Sequence, residues 1–129
     1  MRLLLDTHIL LAVVEKRAQS FPAEIQRLLA DPTGEFHVSV ASLWEIAIKT
    51  RLGKLKINPP LDSLPELIAG MGIELVLINA RHVLASVHPE PPTRDPFDRL
   101  LLAQCQVEGL RLITIDRALV SHVMAAKPV

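Results

Sequence analysis

Tyrosine is absent from this sequence, and aromatic residues of all kinds make up only 3% of it. A core built from such a chain must be aliphatic, made of Leu, Ile, Val and Ala, as in packed α/β layers. With the single tryptophan, Trp44, assigned to that core, little aromatic surface remains for stacking on bases, so a nucleic acid would be read by shape. Cysteine is almost missing as well. The lone Cys105 excludes an intrachain disulfide and fits a reducing compartment; inside an apolar run it serves as a small hydrophobe rather than a reactive thiol. No stretch of about 18 apolar residues occurs, so no membrane-spanning helix is expected. The opening M-R-L-L-L-D-T-H-I-L-L places Arg2 before an apolar run, but Asp6 and His8 interrupt it and no small-residue cleavage site follows. A signal peptide is therefore not expected, and a cytoplasmic location is. Charge of one sign is not in excess. The 14 basic and 14 acidic residues cancel, which excludes a polycation that coats nucleic acid and makes any such binding local. The five histidines, His8, His37, His82, His88 and His122, lack metal-ligand spacing, and only His8 is expected to border a site.

What is there alternates short apolar runs with helical patterns, and no repeat interrupts the series. At 129 residues the chain is expected to form one domain, 1–129, burying roughly two thirds of the surface it exposes when unfolded. Strands are predicted over 2–5, 36–40, 73–78 and 111–115, each an apolar run bounded by turn residues. Helices are predicted over 8–16, 22–30, 41–52, 61–69 and 81–87, with Pro22 at a helix start and Gly53 at a helix end. The segment 88–96 holds four prolines and must be a loop. It leads into a helix that starts at Asp95 and ends at Gly109, and a last helix is predicted over 118–124. Strands alternating with helices argue for a central, mostly parallel sheet of four or five strands covered on both faces.

The acids are the informative part of the pattern. Asp6 and Asp116 each close an apolar run, L-L-L-D and L-I-T-I-D, at the strand end where open α/β sheets bind ligands. If those strands are neighbours, two carboxylates about 4 Å apart repel by about 4 kcal/mol at an effective dielectric of about 20, and a divalent cation removes that cost. Either acid taken alone is better explained as a helix N-cap. Glu45 falls in line with Ala41, Ile48 and Leu52 on an apolar helical face, which calls for a cation or a donor; a capping box from Ser42 to Glu45 is the alternative. In D-P-F-D, Asp95 as N-cap with Pro96 at the first helical position makes a complete helix start. That leaves Asp98 at the head of a stripe with Leu101, Leu102 and Cys105. An all-oxygen cluster of this kind suits Mg²⁺ or Mn²⁺.

These acids in this order, in D-T-H, W-E-I-A-I-K, D-P-F-D-R-L-L-L-A-Q and L-I-T-I-D, resemble a PIN-domain ribonuclease of the VapC toxin type, and the resemblance runs nearly end to end. It implies a three-layer α/β fold and a Mg²⁺- or Mn²⁺-dependent endoribonuclease that serves as the toxin of a toxin–antitoxin pair. It also implies a homodimer inhibited by a cognate antitoxin. Its four acidic positions fall on Asp6, Glu45, Asp98 and Asp116, and its hydroxyl position falls on Thr114. Thr7 stands beside the first acid, and Asp95 is an accessory acid. The ending M-A-A-K-P-V lacks the longer closing strand of that pattern.

For RNA, the segment from Lys49 through Arg51 and Lys54 to Lys56 carries no acid and, with Arg94 and Arg99, is a candidate track for a phosphate backbone. A solvated helix end accounts for the same charges. Two other functions fit parts of the pattern. One is a catalytically silent RNA- or protein-binding module of the same fold. The other is a Mg-binding receiver-like domain, which wants an acidic pair at the first strand and a Lys after the last, where this chain has Asp6 alone and Arg117.

Overall fold

The structure, a computed structural model, describes residues 1–129. Four strands form one sheet: β1 (Arg2–Leu5), β2 (Glu35–Ser39), β3 (Glu74–Val76) and β4 (Arg111–Ile113). All pairings are parallel, in the order β3-β2-β1-β4, so the first strand lies inside the sheet with the last beside it. Leu5 pairs with Ile113, which brings the carboxyl ends of β1 and β4 level. Asp6 and Thr114 are the next residues of their chains.

Six α-helices cover the sheet: α1 (Thr7–Val14), α2 (Ala23–Ala30), α3 (Val40–Arg51), α4 (Leu64–Gly70), α5 (Ala80–Leu84) and α6 (Pro96–Glu108). Alternation along the strands sends successive side chains to opposite faces. Leu3, Leu5 and Ile113 join Ile9, Leu10, Ile25, Ile46 and Ile68 in one buried cluster. Leu4 and Leu112 join Leu101, Leu102, Cys105 and Leu119 in another. The result is the expected three-layer arrangement, with α6 packed by its apolar stripe on the second face. Burial also pushes the Cys105 thiol up to about 12, in keeping with an inert core thiol.

Local signals account for the helix ends. Asp95 caps α6, accepting from the N–H of Phe97 at 2.8 Å, and Pro96 follows at the first helical position. Gly109 ends α6 with φ +70°, a left-handed conformation that costs other residues a clash of Cβ with the backbone. Ser39 caps α3 through the Ala41 N–H at 2.9 Å. The helix therefore starts before Ser42, and the capping box between Ser42 and Glu45 is not formed.

Several expectations are corrected. Residues 61–69 divide into a 3-10 turn, Leu61–Ser63, and α4. The predicted helix over 81–87 is the shorter α5, capped by Asn79. No helix forms over 118–124. The N–H groups of Leu119 and Val120 both go to the Asp116 carbonyl, and the chain then extends along the open edge of β4. There Ala126 N–H donates to Leu112 O at 2.7 Å and Leu112 N–H to Met124 O at 2.8 Å. Leu112 and Ala125 thus form an isolated parallel bridge in place of a fifth strand. Pairing with the unfilled sheet edge gives the Leu112 N–H and C=O the partners that a helix over 118–124 would leave them without. Trp44 is not a core residue: it is 59% exposed, with its ring edge-on to Phe97 at 5.7 Å between centroids. No helix is long and apolar enough to cross a membrane.

Candidate active site

Asp6 leaves β1 and enters α1 only 5% exposed, and its carboxylate is held on both sides. The Thr7 N–H donates to Oδ1 at 2.7 Å, and the Thr114 hydroxyl, arriving from the end of β4, donates to Oδ2 at 2.6 Å. Thr114 Oγ1 accepts in turn from the Asp116 N–H at 3.0 Å. The hydroxyl at position 114 is thus engaged in both directions, and it ties the first acid to the turn carrying the last. Burial raises the pKa of Asp6, opposed by the Thr114 and Thr7 hydrogen bonds and by His8, while Glu45 adds to the rise.

Glu45 projects from the second turn of α3 and is buried. The Thr7 hydroxyl donates to its Oε1 at 2.7 Å and lies 3.0 Å from Ser42 Oγ. Its Oε2 receives the ammonium of Lys49, one helical turn on, at 2.6 Å. An acid on an apolar face has here found both a donor and a cation.

Asp98 lies half-buried in the first turn of α6, with Thr93 Oγ1 3.3 Å from its Oδ2. Burial first, then the charges of Asp95, Asp6 and Asp116, push its carboxyl up to about 7. Asp116 stands past the end of β4, its Oδ1 accepting from the Ala118 N–H at 2.8 Å. These mutual influences place all five acids in one electrostatic neighbourhood at the carboxyl end of the sheet. Lys49 shares it, since Glu45, then Asp95 and Asp98, hold its ammonium charged.

The donors fit a hard divalent cation in kind: they are all carboxylate and hydroxyl oxygens, and no basic side chain pairs with Asp6, Asp98 or Asp116. Burial is the first cause of the near-neutral pKa of Asp98, and the unpaired charges of Asp95, Asp6 and Asp116 add to it. The acids do not form a finished cage, because no group of three or more His, Cys, Asp or Glu side chains is arranged to hold a metal ion. Asp6 and Glu45 are turned toward their threonine donors. A concavity of about 580 Å³ lies elsewhere, between α5 and α6, and is lined by none of the five acids.

A family model for the PIN domain matches residues 3–123. The chain belongs to the PIN domain family. No curated protein matches it. The PIN fold is a nuclease-type fold, commonly metal-dependent, and the receiver-like alternative does not survive this match.

Of the PIN residues singled out from sequence, Asp6, Thr7, Glu45, Thr114 and Asp116 are linked by direct hydrogen bonds or through one shared hydroxyl, and Asp98 and Asp95 join them through charge. The basic segment divides. Arg51, Lys54, Lys56 and Arg94 are exposed, whereas Lys49 faces Glu45. Arg99 is bound to the proline-rich loop, through Glu90 at 2.6 Å and the Thr93 carbonyl at 2.7 Å. Two site residues escaped the sequence reading in their actual roles. Ser42 is a partner of Thr7, which no local pattern announces, and Lys49 is the partner of Glu45, which their i, i+4 spacing does announce.

Proposed function

We propose that this PIN domain is a Mg²⁺- or Mn²⁺-dependent endoribonuclease that hydrolyses RNA phosphodiester bonds, acting as a VapC-type toxin. The observation that carries this reading is the gathering of acids at the ligand-binding end of a parallel sheet: Thr114 at the end of β4 donates to Asp6 at the end of β1, and burial together with the charges of Asp95, Asp6 and Asp116 raises the pKa of Asp98 to about 7. The acids to hold the cation are Asp6, Glu45, Asp98 and Asp116. A bound cation of this type supplies charge neutralisation at the phosphoryl oxygens and activation of the attacking water. Thr114 orients Asp6, and Thr7 orients Glu45, each by donating to one carboxylate oxygen. Asp95 starts the helix that carries Asp98. Exposed Arg51, Lys54, Lys56 and Arg94 are the side chains available to an RNA backbone. A cognate antitoxin, a homodimer and a cytoplasmic location belong to the same reading, supported by the motif resemblance.

The test is cleavage of defined RNAs with Mn²⁺ by wild type, Asp6→Asn and Asp98→Asn. Cleavage by wild type alone is expected. Equal cleavage by all three would sink the mechanism, and Mn²⁺ binding without cleavage would favour a silent module.

A further inference from the structure

Glu45 differs from the other acids of the site in how its oxygens are used. Oε1 accepts from the Thr7 hydroxyl and Oε2 from the Lys49 ammonium, at 2.7 and 2.6 Å. Its charge is already balanced by a cation of the chain itself. Asp6, Asp98 and Asp116 have only uncharged donors: Thr7 N–H and Thr114, Thr93, and the Ala118 N–H. A divalent cation gains most where negative charge is unmatched, which is at these three.

Lys49 is set apart from the rest of its basic segment. Its i, i+4 spacing from Glu45, acid first, is the favourable order on a helix. Its side chain is 42% exposed, so the ammonium reaches solvent at the rim while its carboxylate partner stays buried. Asp95 and Asp98 act on it together with Glu45, which locates its charge on the α3 side of the acid cluster. An ammonium carries three donor hydrogens and Glu45 takes one, leaving donors for the nonbridging oxygens of a phosphodiester.

We propose that Glu45 and Lys49 act as one unit, a carboxylate-anchored ammonium that grips the scissile phosphodiester, so that Glu45 is not a ligand of the divalent cation. The proposal rests on the nuclease reading and alters one part of it. Glu45 becomes a positioning residue acting through Lys49, and Lys49 becomes a substrate contact. A positive charge fixed before the reaction begins stabilises the charge that grows on the phosphoryl oxygens without the cost of reorganising water.

Two measurements that need no turnover decide it. Mn²⁺ binding is followed by electron paramagnetic resonance for the wild-type chain, Glu45→Gln, Lys49→Met, Lys49→Arg and Asp98→Asn. Binding of a fluorescent RNA oligonucleotide is followed by anisotropy in Ca²⁺. Glu45→Gln is expected to bind Mn²⁺ as wild type does and Lys49→Met no more weakly, because it leaves the Glu45 carboxylate unmatched, while Asp98→Asn loses about tenfold or more. Lys49→Met is expected to weaken RNA binding by about tenfold, the effect of one charge-assisted hydrogen bond, with Lys49→Arg restoring most of it. In cleavage, Lys49→Met is expected to lower kcat by about a hundredfold. Loss of Mn²⁺ binding in Glu45→Gln to the extent seen in Asp98→Asn makes Glu45 a metal ligand and overturns the proposal, leaving the nuclease reading intact. Unchanged RNA affinity in Lys49→Met overturns it as well. A wild type that binds RNA and Mn²⁺ but cleaves nothing overturns the nuclease reading and, with it, the contact to a scissile phosphodiester, and one that binds no RNA overturns both.

Discussion

Thr114 donates its hydroxyl hydrogen to Asp6 Oδ2 at 2.6 Å, joining residues separated by 108 positions in the chain. The bond exists because β1 and β4 are parallel neighbours whose ends are level, and it is the main favourable contact of a buried acid. Thr114→Val keeps the shape and removes the donor. It is expected to destabilise the fold by about 1–3 kcal/mol, the cost of an unsatisfied buried acceptor, and to raise the pKa of Asp6 further. Thr114→Ser is expected to retain most of the stability. Urea unfolding of the two variants checks this, and equal stabilities would contradict it.

Asp98 makes the stability of the protein depend on pH in a direction opposite to that of a paired carboxylate. Its folded pKa of about 7 lies above the ordinary 3.8, so between those values the folded chain holds a proton that the unfolded chain has lost. The contribution of Asp98 to stability is therefore full below the lower value, falls as pH rises toward the upper one, and is level beyond it. Asp98→Asn is expected to become progressively more stable than wild type across that window in the absence of divalent ions. Denaturation curves at several pH values for the two proteins measure the gap; a gap that does not change with pH would refute the assignment.

Gly109 ends α6 with φ +70°, and a Cβ added there would meet only Arg2 Nη1 at 3.7 Å. There is space for a methyl group but no suitable backbone conformation. Gly109→Ala is expected to cost about 1–2 kcal/mol from left-handed strain alone. Thermal unfolding gives the value, and a neutral substitution would show that the helix end relaxes.

Trp44 provides a test of its own correction. Because it is 59% exposed and touches Phe97 by an edge, Trp44→Ala is expected to cost well under the about 3–5 kcal/mol typical of a buried tryptophan. Its fluorescence in the native protein is expected to be quenched readily by iodide. Protection from the quencher together with a large loss of stability would return the ring to the core.

What the sequence by itself determined is whatever depends on neighbours a few positions away. The alternation of apolar runs with helical stripes specified four strands and their covering helices, because each element must bury one face or both. Asp95, Pro96 and Gly109 specified the ends of α6, because caps and left-handed turns are local backbone events. The i, i+4 spacing of Glu45 and Lys49 already contained their ion pair. Other features were decided only by the tertiary structure. The strand order β3-β2-β1-β4 set Thr114 against Asp6, and the packing of α1 on α3 set Thr7 between Ser42 and Glu45. The unfilled edge of β4 took up the chain at residues 124–126 in place of the helix expected over 118–124, and the approach of α6 to α3 left Trp44 outside, against Phe97. The physical reason is common to all of these. A local pattern records what a segment must bury or cap, whereas the raised pKa of Asp98 records, besides its burial and the neighbouring Asp95, the charges of Asp6 and Asp116, delivered by segments whose distance apart no local pattern contains.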